Sequence, residues 1–237
     1  MRLNLPSGTA IFIFGERMDR SGDKPRRPGE TRWPAVVAAI AVGLLVYALP
    51  DSLTLGPEWL PVAVVAVLFG LSAVFHRMRR PDLNNLFAYA GLAVITLAVL
   101  SSLTLLVIRL PAHKEPPVVL LRAAVALWVS NLLVFASWYW RLDGGGPNER
   151  DKQGVHTDGA FLFPQMMMDQ ELRRQMGEDQ WSPGFVDYLF LAFNTSTAFS
   201  PTDVPVLSRW AKAMMIVQSV ISLATVVLLA ARAVNIL

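Results

Sequence analysis

Residues 181–237 read WSPGFVDYLFLAFNTSTAFSPTDVPVLSRWAKAMMIVQSVISLATVVLLAARAVNIL. This stretch contains a short apolar run, a polar break rich in Ser, Thr, Pro and Asp, and then a long apolar run. A hydrocarbon layer about 30 Å thick is crossed by roughly 20 consecutive apolar residues in a helix. The second run meets that length and the first approaches it, so the stretch predicts two membrane helices joined by a polar turn.

Apolar blocks of similar length occur throughout the chain, of which 54% is hydrophobic and 16% charged. The predicted crossings are 33–49, 59–75, 86–108, 118–140, 185–199 and 210–234. Inside lipid the backbone amides must be bonded within their own segment, and the blocks lack the alternation of barrel strands. The sequence therefore predicts an all-α, polytopic transmembrane bundle of about six helices whose partner is the lipid bilayer.

Lys and Arg determine the predicted orientation. The N-terminal arm (residues 1–32), the loop 76–85 and the insert 141–184 contain several basic residues, whereas the loop 50–58 contains none. Because basic residues are enriched on the cytoplasmic side, we expect the arm and the insert in the cytoplasm. The protein is thus predicted to be a multi-pass protein of the cell membrane. With six crossings, both termini lie in the cytoplasm and residues 200–209 lie on the outer face.

The insert 141–184 contains the signature of a short amphipathic helix. Pro164 starts the pattern and Gly177 ends it, and Asp169 can reach Arg173 one turn later. Its apolar residues fall on one face: Met168, Leu172 and Met176. Either this helix lies on the membrane surface, or it is a solvated helix that packs on the bundle.

Polar side chains recur deep within the last two predicted crossings: Asn194, Thr195, Gln218, Ser222 and Thr225. Asn131 occupies a similar depth in the fourth crossing. Two interpretations remain open for this group: hydrogen bonds between helices, or a hydrophilic path lined by the last two helices. Asp187, near the start of the fifth crossing, is either a functional ionisable group in the membrane or a residue at the interface.

The region from Tyr188 to Leu237 resembles the pore helix, selectivity loop and inner helix of tetrameric potassium-channel-like proteins. Thr195 and Thr197 fall on the threonines that end the pore helix, and Asp203 falls on the aspartate that closes the loop. This resemblance implies a homo-oligomer, a tetramer if the protein is channel-like, with monovalent cations as its ligands.

The same region, with WYWR at 138–141 and FLFP at 161–164, also resembles a family of small bacterial membrane proteins of unknown function. Members of that family carry a similar D-x-L-Y-F-x-F…S-D-V…S-R signature. This second resemblance implies a location in a bacterial inner membrane and no particular activity.

The polar break departs from the potassium-channel pattern. Ser200 and Thr202 occupy the glycine positions of the filter, and Pro201 occupies the aromatic position. A filter lined by carbonyl groups is therefore disfavoured, because its backbone conformations require glycine. A pore would instead present the hydroxyls of Thr197, Ser200 and Thr202 and a ring of Asp203 carboxylates, which favours cations weakly. A re-entrant loop that enters from the outer face conflicts with the charge-derived orientation, so 185–199 is predicted to cross fully and 200–205 to form an outer turn.

Other functional classes lack a signature in this sequence. The chain has no cysteine, and its three histidines lie apart in connecting segments, so neither a metal site nor a cofactor is predicted. Neither a catalytic set nor a basic folded face for nucleic acid is present. The sequence thus predicts a membrane protein that is not an enzyme. It is either a weakly selective cation channel with an oligomeric pore, or a non-conducting structural or interaction protein acting through its cytoplasmic insert.

Overall fold

The computed structural model describes residues 30–57, 59–109, 116–153, 159–178, 181–201 and 203–234. Residues 1–29 of the predicted arm and Thr202 of the predicted lining lie outside the described residues. The described helices are α1 (Trp33–Tyr47), α2 (Trp59–Arg77), α3 (Pro81–Arg109), α4 (Pro117–Leu142), α5 (Pro147–Gln153), α6 (Pro164–Met167), α7 (Gln170–Gln175), α8 (Phe185–Thr197) and α9 (Arg209–Val234). Within these ranges the only β-structure is one isolated bridge.

Four helices, α2, α3, α4 and α9, are long and apolar enough to cross a membrane, and α1 is a shorter apolar helix. Their outward faces carry large apolar side chains that are more than half exposed, including Ile40, Val67, Leu97 and Ile216. Such faces are favourable in lipid and unfavourable in water. The structure confirms the predicted all-α helical bundle.

Small and polar residues hold α2 against α3. Ser72 Oγ donates to the carbonyl of Asn84 at 3.1 Å, and Asn84 Nδ2 donates to the carbonyl of Ser72 at 2.7 Å. Gly91 allows the ring of Phe69 to approach so closely that a Cβ on Gly91 would lie 3.1 Å from it. Close approach through small residues and buried polar pairs is the usual way in which helices associate in lipid.

One end of the bundle, which we call the basic end, contains the start of α1, the α2–α3 turn and the end of α4. Glu30 binds Arg150, which follows α4, with a shortest N–O distance of 2.8 Å. Arg32 binds Asp151 at 2.9 Å and contacts His76, near the end of α2, at 3.0 Å. Because α1 to α4 alternate in direction, the loop after α1 lies at the opposite end.

The predicted amphipathic helix in the insert is divided into α6 and α7. Met168 has an extended ψ of 144°, and Asp169 caps α7 by accepting the N–H of Leu172 at 2.7 Å. Asp at an N-cap satisfies a helix donor that would otherwise lack a partner, so a new helix starts there. Gly177, at a φ of 74°, follows the end of α7, as its position in the pattern predicted.

The segment between α8 and α9 returns to the basic end. Leu162 N donates to Pro205 O at 3.0 Å, and Leu207 N donates to Ala160 O at 2.8 Å. Ala160 N in turn donates to the carboxylate of Asp143, directly after α4. This pairing corrects the prediction that 200–209 lies on the face opposite the insert. The count of Lys and Arg in the loops could not reveal this return, because it assumed that 185–199 crosses the membrane fully.

Helix α8 begins at the basic end and stops near the middle of the bundle. Its first residue, Phe185, packs on Trp140 with ring centroids 5.8 Å apart. The ring of Phe193 lies 6.4 Å from that of Trp128, near the middle of α4. Ser219, near the middle of α9, donates its hydroxyl to a carbonyl of the last turns of α8 at 3.4 Å. Helix α8 has 13 residues and is about 20 Å long, which is less than the hydrocarbon thickness.

Candidate functional site: a mid-bundle loop and a buried polar cluster

Gln218 is the centre of a polar cluster that joins α4, α8 and α9. Its side chain is fully buried. Gln218 Nε2 donates to Ala192 O and to Ser196 Oγ, both at 2.8 Å, and Gln218 Oε1 accepts the hydroxyl of Tyr139 at 2.5 Å. The side-chain amide thus bonds to both neighbouring helices, and it fixes α8 at this depth in the bundle.

The other buried polar residues of this region also face inward. Asn131 Nδ2 approaches Ser222 Oγ and the Gln218 carbonyl at 3.4 Å each. Thr225 and Thr195 donate their hydroxyls to carbonyls of their own helices, at 2.7 and 2.8 Å. The predicted lining residues Thr195, Gln218, Ser222 and Thr225 therefore lie inside the bundle of the single chain, and the contacts of Gln218 and Ser222 join neighbouring helices.

The other predicted lining residues that the structure describes lie where α8 ends and the chain reverses. Thr197, Ser200 and Asp203 are exposed, and Asn194 is half-buried. Phe199, at a φ of 52°, marks the reversal. The left-handed conformation is unfavourable for a residue with a side chain by roughly 1–2 kcal/mol, so the surrounding structure must hold it. We call residues 197–203 the mid-bundle loop.

A cluster of aromatic rings and one buried carboxylate anchors the return of this loop. The contact between these side chains was not predicted from the sequence. Asp143 is fully buried and accepts the hydroxyl of Tyr188 at 2.7 Å. The ring of Phe161 packs edge-on against Tyr139, Tyr188 and Trp210, with centroid distances of 5.2, 6.1 and 6.1 Å. These buried side chains thus support the strand-like pairing of 160–162 with 205–207. The sequence signals are the WYWR and FLFP segments, noted above only for the resemblance, and an aspartate placed directly after a membrane helix.

A buried ion pair organises the basic end. The side chains of Arg150 and Glu30 are 3% and 9% exposed. Arg150 also donates to the carbonyls of Trp140 and Asp143, at 2.9 and 2.6 Å, and Trp140 donates its indole N–H to Glu30. Burial raises the pKa of the Glu30 carboxyl, and the positive charge of Arg150 opposes that rise. The pair holds Glu30, three residues before α1, against the end of α4.

Asp187 has a local structural role. Its carboxylate accepts the N–H of Gly184 at 2.7 Å, at the start of α8. A carboxylate in this position also interacts favourably with the positive end of the helix dipole. Its position at the basic end agrees with the interpretation of Asp187 as a residue at the interface.

No family model, no curated protein and no solved structure matches this chain. Its function must therefore be argued from the geometry of the mid-bundle loop and its surroundings.

Proposed function

We propose that this integral membrane protein conducts small cations, with little selectivity among them, through an oligomeric pore lined by the mid-bundle loop. One observation carries the proposal: α8 stops near the middle of the bundle, and the chain returns to the end from which it entered. Helix α8, the loop and α9 then have the order of a pore helix, a pore loop and an inner helix.

The exposure of the loop supports an oligomer. Irregular backbone at membrane depth is tolerated only where protein buries it or where it lines a water-filled cavity. In the single chain, Phe199, Ser200 and Asp203 are exposed, although Thr195 and Ser196, one turn earlier, are buried. Further protomers arranged around a central axis would both cover the loop and enclose water beside it.

The chemistry of the loop favours cations. Repetition around an axis turns Asp203 into a ring of carboxylates, with the hydroxyls of Thr197 and Ser200 nearby. Carboxylate rings attract cations, whereas hydroxyl groups discriminate little between ions of equal charge. Gln218, Ser222 and Thr225 do not line the pore in this proposal, because they are fully buried within one protomer.

The distribution of charge supports an opening of the loop toward the cytoplasm. Because 205–207 pairs with 160–162, Arg209 and Lys212 at the start of α9 join the other basic residues at the basic end. The positive-inside rule then places this end in the cytoplasm. The end of α9 at Val234 would be external, in place of the cytoplasmic C-terminus expected from six crossings.

Labelling of single cysteines tests this arrangement, since the chain has no cysteine of its own. We expect Leu207→Cys and Gln175→Cys to react with an impermeant thiol reagent from the same side of the membrane. Leu55→Cys, in the exposed loop after α1, should react from the other side. Labelling of Leu207→Cys together with Leu55→Cys would contradict the return of the loop.

A flux assay in liposomes tests conduction. The wild type should pass both K⁺ and Na⁺, and Asp203→Asn should lower the flux by about tenfold, because a focused negative field raises local cation concentration by that factor or more. Glu171→Gln is the matched control, since it removes the same charge at an exposed position of α7. Wild-type liposomes without flux, or equal effects of the two substitutions, would refute the proposal.

A further inference from the structure

A cavity of about 290 Å³ opens at the basic end, where α1, α2, α3 and α5 meet. It is separate from the mid-bundle loop and shares no residue with it. Its polar lining consists of Arg32, His76, Arg79, Arg80, Asn148 and Asp151.

The cavity has an excess of positive charge. Asp151 lies 2.9 Å from Arg32 and compensates its charge. Arg79 and Arg80 have no carboxylate within 4 Å among the residues that the structure describes. Two arginines therefore line a shared concave site without a described counter-charge, and guanidinium groups match the oxygens of a phosphate group well.

The backbone around the α2–α3 turn adds to the positive charge of the cavity. Arg79 lies in this tight turn, with a φ of 56° in the left-handed region. Helix α3, with 29 residues, begins at Pro81, which also lines the cavity. The N-terminus of a long helix carries a partial positive charge, which favours an anion at this position. Asp82 in its first turn is not part of the lining.

Exposed apolar side chains lie on the helix ends that meet at the cavity. Trp33, Val74, Met78 and Leu86, from the neighbouring ends of α1, α2 and α3, are between 53% and 67% exposed. A site for a soluble anion has no need of such surroundings. A phospholipid, by contrast, joins a phosphate to acyl chains at the boundary between water and hydrocarbon.

We propose that this cavity binds the phosphate headgroup of an anionic phospholipid, whose acyl chains lie along the exposed faces of α1 and α2. Basic pockets between membrane helices on the cytoplasmic side are suited to such headgroups. The proposal depends on the membrane location of the bundle and is independent of conduction. It would stand if the liposomes showed no flux.

Lipid binding to the purified full chain in detergent tests the site, with phosphatidylglycerol and phosphatidylcholine as probes and native mass spectrometry as the readout. The wild type should prefer phosphatidylglycerol. An arginine in direct contact with the headgroup contributes roughly a fivefold effect, so Arg79→Gln with Arg80→Gln should weaken phosphatidylglycerol binding by about 25-fold. Both arginines are exposed, so circular dichroism should show the helical content of the wild type.

The matched control is Arg209→Gln with Lys212→Gln, which removes the same charge at the same end but outside the cavity. It should change phosphatidylglycerol binding by about twofold or less, because surface charges outside the site contribute only screened attraction. An equal loss in both variants would mean diffuse attraction and would overturn the proposal. So would undiminished binding by the arginine variant, or displacement of the lipid by glycerol phosphate at equal concentration, which would assign the site to a soluble anion.

Discussion

Replacement of Gln218 by Leu should detach α8 from α9 and destabilise the bundle. The side chain of Gln218 makes three short hydrogen bonds, with Tyr139, Ala192 and Ser196, and a leucine side chain can make none of them. Hydrogen bonds between membrane helices contribute on average about 0.6 kcal/mol and at most about 1.7 kcal/mol each. We therefore expect Gln218→Leu to lower the free energy of unfolding by about 2–5 kcal/mol.

The assay is reversible unfolding in mixed micelles, followed by circular dichroism, with a double-mutant cycle to Tyr139→Phe. The two substitutions should be non-additive by about 1 kcal/mol, because the residues share one hydrogen bond. Thr225→Val is the matched control: it removes a buried hydroxyl from the same helix, but one that bonds only to its own helix, and it should have a much smaller effect. A fully stable Gln218→Leu variant, or additivity with Tyr139→Phe, would refute the assignment of α8 to this depth.

The remaining predictions concern the supports around the loop. Arg150→Met should lower the free energy of unfolding by about 3–5 kcal/mol in the same assay, because it leaves the carboxylate of Glu30 buried without its partner. Burial raises the pKa of Glu30, so Glu30 binds a proton more readily in the folded protein than in the unfolded chain. The Arg150→Met variant should therefore regain stability as the pH falls. Adding Glu30→Gln should abolish that pH dependence. Gly91→Ala should be less stable than the matched Gly70→Ala by about 1–3 kcal/mol, because a Cβ at Gly91 meets the ring of Phe69 whereas nothing lies within 4 Å at Gly70. Equal melting temperatures for the two alanine variants would show that the α2–α3 interface is looser than described.

Local sequence patterns were sufficient to predict the long apolar helices, but not the short helices of the insert. The apolar blocks predicted α2, α3, α4 and α9 with boundaries close to those observed, because block length and flanking Pro or charged residues are local properties. The spacing of Gln218, Ser222 and Thr225 likewise predicted that they share one helical face. Residues at this spacing share a face in any α-helix, so the prediction needed no information from other parts of the chain.

Tertiary structure decided the direction of that face and the course of the loop. The polar face of α9 points into the bundle because Tyr139, Asn131 and Ser196 on two other helices supply its partners. The apolar run 185–199 fits either a re-entrant helix or a crossing that the following polar turn completes, so its length alone selects neither. The return depends on the pairing of 160–162 with 205–207, segments far apart in sequence. No local pattern encodes that contact, whereas the apolar blocks follow directly from the residues themselves.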